Sequence, residues 1–416
     1  MLQRAHLKAL MPTPLRRGLE RVRRALNGPG IEYDVLGDYI FEADPETRPR
    51  FSMVMPNISR SQAFGGVMTG IDLLTGLRAA LEGVDFRIVS ETAPATGDDL
   101  IAATPALEGI EVLHLSAVGR RLPMRAREMV LAYNWWTSLN LEPVIAAQAQ
   151  AFDRPPRPKV HLIQDYEPHF YGFSTPHLLA RSAMGDSWPL WGVFNSSELF
   201  TYWQRQGHSA EKTFVFEPMM NMGLRSHLSG LDAKDKTRTL LVYGRADVPR
   251  NAFYLVETGL KAWGARHGAK RSDWRIVSAG TPHDDIPLGG GHVLRSLGKL
   301  SLEGYADLLR ETAAGLSLMV SPHPSYPPLE MAHFGVRVMT NGYADKALAG
   351  RHDNITELKS LRPEAIGDAI EATMAEFEAD PGGGLRAQSH MPDYLTATRI
   401  GCLDPLARAL GAALNE

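Results

Sequence analysis

Residues Thr239–Asn251 read TLLVYGRADVPRN, and this stretch decides the fold. A β-prone run ends at Gly244, a polar loop follows with Arg245 and Arg250, and helical spacing resumes near Asn251. A strand that hands over to a helix through a short loop is the repeating piece of a parallel sheet. Toward the C-terminus the series continues through Trp274–Gly280 (WRIVSAG), His292–Gly298 (HVLRSLG), Leu316–Ser321 (LSLMVS) and Val336–Asn341 (VRVMTN). Toward the N-terminus the polar run Ser229–Arg238 (SGLDAKDKTR) interrupts it.

Beyond that interruption lies a second set of short apolar runs. These are Phe51–Pro56, Phe86–Glu91, Glu111–Ser116, Met129–Tyr133, Lys159–Tyr166, Trp191–Asn195 and Thr213–Glu217, with helical patterns at Val67–Leu81 and Ser196–Arg205. DRPPRP at Asp153–Pro158 is a stiff connection inside this half. The expected fold class is α/β, with two Rossmann-like domains whose parallel sheets face a central cleft. The boundary falls near residue 230, so residues 31–230 form the first domain and 231–384 the second. A C-terminal helix at 385–416 is expected to pack back on the first domain.

A length of 416 residues suits two such cores. A net charge of −3 argues against a nucleic-acid partner, and the single Cys402 excludes an internal disulfide. No stretch has the ~20 apolar residues of a membrane span, and no signal-peptide region is present, so the protein is expected in the cytoplasm. Residues 1–30 carry seven Lys/Arg against Glu20 alone, with Leu15, Leu19, Val22 and Leu26 at helical spacing. This basic helix either lies peripherally on the inner face of an anionic membrane or docks on its own domain.

The cleft should be lined by strand-end residues. Arg245 and Arg250 sit on the loop after a strand, where paired guanidinium groups beside a helix N-terminus suit a diphosphate; a pair of solvated arginines would look the same. Lys299, in LGKLSLEGY, follows another strand and could add a point charge. Four prolines in Ser321–Gly335 (SPHPSYPPLEMAHFG) make a rigid loop. Its His323 could face phosphates, and Glu330 is either a helix-end carboxylate or an acceptor for a sugar diol. Gly65 and Gly66, in FGGVMT, permit close approach at a helix start. In QDYEPHFY, Asp165 and Glu167 could bind or deprotonate a hydroxyl, while Tyr166, Phe170 and Tyr171 could stack on sugar faces. No HxxxH, HxH, GxSxG or Walker pattern occurs, so no metal site is expected.

The strand–GR–loop, the strand–GK–helix and the late LEMAHFGVRVMTN together resemble glycosyltransferase family four. QDYEPHFYGFSTPHLLA, VFNSSELF and YGRADVPRNAF resemble more closely the WsaF-type rhamnosyltransferases of bacterial surface-glycan assembly, over roughly residues 50–400. The resemblance implies a GT-B fold and a retaining glycosyltransferase using a nucleotide-sugar substrate such as dTDP-β-L-rhamnose, with no further cofactor and a glycan or lipid-linked glycan as acceptor. It implies that Arg245, Arg250 and Lys299 cradle the diphosphate, that Glu330 holds the ribose, and that Asp165 and Tyr166 face sugar and acceptor. The family's Glu-x7-Glu pattern is broken, since Pro322 stands where its first glutamate falls. Two other readings of the same cleft are a nucleotide-sugar 2-epimerase and a non-catalytic partner in a glycan-synthesis complex.

Overall fold

Short apolar strands that are buried along their whole length must be covered on both faces, and the chain does this twice. The computed structural model describes residues 36–60 and 65–416; the basic helix expected at 1–30, and Phe64 of the FGGVMT segment, lie outside the described residues. Within Tyr39–Glu416 the first sheet has strands β2 (Arg50–Met55), β3 (Asp85–Ser90), β4 (Glu111–His114), β6 (Glu128–Ala132), β7 (Lys159–Ile163), β8 (Leu190–Phe194) and β9 (Lys212–Val215). Its spatial order is β4-β3-β2-β6-β7-β8-β9, and every pairing is parallel. A separate parallel pair, β1 (Ile40–Asp44) with β5 (Arg121–Arg125), was not foreseen.

The second sheet contains β10 (Thr237–Gly244), β11 (Arg275–Gly280), β12 (Ile286–Gly289), β13 (His292–Ser296), β14 (Thr312–Leu316), β15 (Arg337–Thr340) and β16 (Ile355–Glu357). The order is β12-β13-β11-β10-β14-β15-β16, parallel except for the β12–β13 hairpin at its edge. One expected strand is displaced. Leu316–Ser321 is not a strand; TAAGL at Thr312–Leu316 is, fully buried between β10 and β15. Its small residues hide it from a hydrophobic scan, but the packing demands them. A Cβ on Gly315 would sit 2.7 Å from the Met331 sulfur.

The longer helices are α1 (Gly65–Ala80), α2 (Trp135–Ala151), α3 (Thr175–Ser182), α4 (Ser197–Arg205), α5 (Phe253–Arg266), α6 (Leu302–Glu311), α7 (Tyr326–His333), α8 (Pro363–Ala379) and α9 (Leu403–Asn415). Side-chain caps start several of them just past a strand. Asn134 accepts from Thr137 N–H at 3.0 Å before α2, Ser196 from Leu199 N–H at 3.1 Å before α4, and Ser301 from Gly304 N–H at 3.1 Å before α6. The C-terminal segment is helical over Leu403–Asn415, with a separate short turn at Gly383–Arg386. Leu403, Leu406, Leu410 and Leu414 join α1 on one face of the first sheet. Each such side chain contributes about 1.5–3 kcal/mol when fully buried.

Candidate active site at two strand-end crevices

In an open parallel sheet, ligands bind beyond the carboxyl ends of the strands where the strand order reverses. The first sheet reverses between β2 and β6, and the second between β10 and β14. The loops leaving those strands therefore define the site. They carry Gly65 and Gly66, Tyr133 and Trp135 on one side, and Arg245, Arg250 and Ser317–Ser325 on the other.

On the second-domain side, Arg245 directly follows β10 and Arg250 sits in a short turn, Pro249–Asn251. The helix beyond begins at Phe253, two residues later than expected, because Ala252 adopts a left-handed conformation (φ 49°, ψ 36°). Ala252, Ser325 (φ 73°) and Ala344 (φ 50°), all non-glycine residues at positive φ, lie in loops of this crevice. Such conformations cost about 1–3 kcal/mol and persist where surrounding structure holds them, commonly at functional sites. The phenol of Tyr243 is pushed up by burial while Arg245, Glu330 and Arg250 all act on it, so these three charged groups converge there. Lys299 is shifted down by burial, with Asp98 of the first domain opposing and Arg245 reinforcing. Glu330 is half-buried, and desolvation pushes it up to about 7, with the Tyr305 phenol opposing. It lies beyond the first turn of α7, which begins at Tyr326, so a helix-end role does not account for it.

His323 is neutral near pH 7, since burial holds it down at about 4. It therefore cannot bring the positive charge that a phosphate contact would use. Its Nδ1 accepts from Ser325 N–H at 3.0 Å, which leaves the proton on Nε2. Buried Asn195 Oδ1, Gln164 Oε1 and Asn251 Oδ1 make no hydrogen bond, and the His323 ring, acted on by the Asn195 backbone, leaves its Nε2 without one of normal geometry. All four residues follow the ends of β8, β7, β10 and β14, so the crevice concentrates polar atoms available to a ligand.

On the first-domain side, Asp165 reaches across the cleft. Its Oδ1 accepts from Ser321 Oγ at 2.6 Å and from Tyr166 N–H at 2.8 Å, and its Oδ2 stands 3.7 Å from Arg250 Nε. Gly66 is required by close approach. A Cβ there would meet Tyr133 Oη at 3.1 Å and Gln164 Oε1 at 3.2 Å, while Gly65 faces the ring of Tyr326.

Three expectations for QDYEPHFY are corrected. Strand β7 ends at Ile163, and the chain then turns inward, so Tyr166 is 1% exposed in a cluster with Phe194 and Trp203. Its hydroxyl bonds His208 Nε2 at 2.9 Å; it is a core residue and does not face the cleft. Glu167 is buried and accepts from Trp135 N–H at 2.5 Å, and Tyr171 Oη accepts from Trp135 Nε1 at 3.0 Å. Both grip the start of α2 and are not presented to an acceptor. The ring of Phe170 carries the Arg250 guanidinium 4.2 Å from its centroid, a cation–π contact that occupies one ring face. Ser321, Asn195, Gln164 and Tyr326 were missed although they lie in or beside the quoted motifs; only folding shows that they share one crevice.

Residues 50–197 match the model of the WsaF N-terminal domain, and residues 238–371 that of the WsaF C-terminal domain. Together the matches span more than half of the chain. The chain belongs to the WsaF family. A curated relative, the O-antigen biosynthesis protein RfbC of Myxococcus xanthus, is 33% identical over 181 residues, covering 44% of this chain and 14% of that protein. This WsaF-family chain thus spans a small part of the curated relative's length. Among solved structures, sucrose-phosphate synthase from Thermosynechococcus elongatus superposes with a TM-score of 0.54 at 14% identity, covering 88% of this chain and 95% of that one. WaaG, a glycosyltransferase involved in lipopolysaccharide biosynthesis, gives 0.54 at 12% identity, covering 86% and 99%. These likenesses show the fold, which is GT-B. No helix among the described residues is long and apolar enough to cross a membrane.

Proposed function

We propose that this chain is a retaining glycosyltransferase that moves a sugar, L-rhamnose from dTDP-β-L-rhamnose, onto a growing bacterial surface polysaccharide. The observation that carries this reading is the convergence of Arg245, Arg250 and Glu330 around Tyr243, with Lys299 beside Arg245. Membership of the WsaF family and the O-antigen role printed for the RfbC relative support the same direction.

In this reading the two guanidinium groups and Lys299 stabilise the charge that develops on the departing diphosphate. Glu330 accepts from the 3′-hydroxyl of the donor's deoxyribose, and the His323 Nε2–H donates to a donor oxygen. With Pro322 where a family carboxylate would stand, transfer runs on the front face. The acceptor hydroxyl oxygen bonds to the anomeric carbon as the carbon–phosphate-oxygen bond breaks, and its proton passes to the leaving phosphate oxygen. Asp165 stabilises positive charge at the anomeric carbon. A thermal-shift panel of dTDP, UDP and GDP tests the donor side. dTDP should stabilise the fold most, by about 2.7 kcal/mol at a hundredfold excess over Kd. Absence of stabilisation by all three would contradict the reading.

A further inference from the structure

The turn after β15 reaches across the cleft with successive side chains. Backbone hydrogen bonds between Tyr343 and Lys346 close it (3.3 and 2.9 Å), with Ala344 at φ 50°. Tyr343 Oη lies 3.3 Å from His169 Nδ1 of the first domain, and Asp345 pairs with Arg205 of α4. Lys346 instead turns inward. It is 2% exposed, and its Nζ donates to the Met319 carbonyl at 2.7 Å. Asn341 grips the same residue, accepting from Met319 N–H at 2.7 Å and donating to its carbonyl at 3.1 Å.

This segment leads straight to the site. Val320 N–H donates to the Arg250 carbonyl at 2.7 Å, and Ser321 Oγ donates to Asp165. The charged or titratable groups that act on or are acted on by Lys346 are Asp165 from the loop after β7, Glu357 from β16 and His323 from the loop after β14. A buried ammonium needs such partners, and removing it leaves the opposing carboxylate uncompensated.

We propose that Lys346 is a positioning residue of the transfer site: it fastens the Met319 carbonyl and is the buried counter-charge to Asp165, so that Ser321 and Arg250 are held against that carboxylate. The proposal rests on the transferase reading. Burial pushes the Lys346 ammonium down to about 8, opposed by Asp165 and Glu357. Only the charged form supplies the counter-charge to Asp165, so kcat should fall as pH rises through about 8. Arginine stays charged throughout this range.

The test compares wild type, Lys346→Arg and Lys346→Met by transfer rate against pH and by hydrogen–deuterium exchange over 317–323. Lys346→Met should lower kcat on the order of 10²-fold, the scale of a small misplacement at a reacting centre. It should also lose the alkaline limb and speed exchange over 317–323. Lys346→Arg should restore slow exchange and move the limb to higher pH. A Lys346→Met variant with wild-type kcat, pH profile and exchange overturns the proposal. If that variant does not fold, Lys346→Arg decides, and an unmoved alkaline limb overturns it. Should wild type turn over no donor, the transferase reading falls by itself; exchange over 317–323 unchanged in Lys346→Met then sinks the positioning role.

Discussion

Replacing Asp165 by Asn tests the chemistry apart from the fold. The change keeps the Oδ1 acceptor that receives Ser321 Oγ at 2.6 Å and Tyr166 N–H at 2.8 Å. What it removes is the charge at Oδ2, 3.7 Å from Arg250 Nε and partly solvated. At that separation and exposure the Arg250 pair by itself contributes about 0–1 kcal/mol to stability, and loss of the counter-charge to the buried Lys346 ammonium adds to that cost. Loss of a carboxylate at the anomeric centre should instead lower kcat by a factor on the order of 10²–10⁴. That is about 2.7–5.4 kcal/mol of barrier, read separately from any loss of stability by the thermal unfolding. Nucleoside diphosphate affinity should not fall, because Arg250 loses a competing anion. The assay is steady-state transfer alongside thermal unfolding and dTDP calorimetry. Wild-type turnover in Asp165→Asn would refute the reasoning, and so would loss of dTDP binding in a folded variant.

Further predictions follow from the same geometry. Arg245→Ala and Arg250→Ala should each weaken dTDP binding by about 1.5–3 kcal/mol, read by calorimetry in EDTA, as for a hydrogen bond to a charged group. Glu330, pushed up to about 7, is the stronger acceptor for the deoxyribose 3′-hydroxyl of dTDP when ionised. Affinity for dTDP should therefore weaken as pH falls through about 7 in wild type and be flat across that window in Glu330→Gln. Glu128 is fully buried and receives Arg50 Nη2 and Arg87 Nη2, each at 2.7 Å. Glu128→Ala removes the buried anion shared by both guanidinium groups, leaving them Glu111 and the Pro123 carbonyl, and urea unfolding should show a loss of about 3 kcal/mol.

The parallel strands were legible because short buried apolar runs such as FSMVMP and TLLVYG alternate with helical spacing. The hidden elements have physical reasons. Strand β14 is built of Thr, Ala and Gly chosen for tight packing under Met331, so hydrophobicity does not mark it. The β12–β13 hairpin turns on Gly289–Gly291, and its exposed edge residues blur the apolar pattern. Arg245, Arg250 and Lys299 stand out in sequence because each follows a strand, whereas Glu330 was expected in a helix's first turn and lies beyond it. QDYEPHFY misled at Tyr166, Glu167 and Tyr171 because an aromatic-acidic loop reads the same whether it faces a ligand or locks a neighbouring helix. Lys346 lies in NGYADK, an ordinary turn sequence. Nothing local distinguishes a lysine that will be buried opposite a carboxylate 181 positions away.

The central claim is glycosyl transfer, and the most direct measurement follows both halves of the donor. Purified protein is incubated with dTDP-β-L-rhamnose labelled in the sugar, with and without lipid-linked glycan extracted from bacterial membranes. The account predicts dTDP release and label appearing in the glycan in equal amounts, both dependent on the glycan and both abolished in Arg245→Ala. Conversion of the labelled donor in the absence of glycan, or dTDP release with no label in glycan, would contradict it.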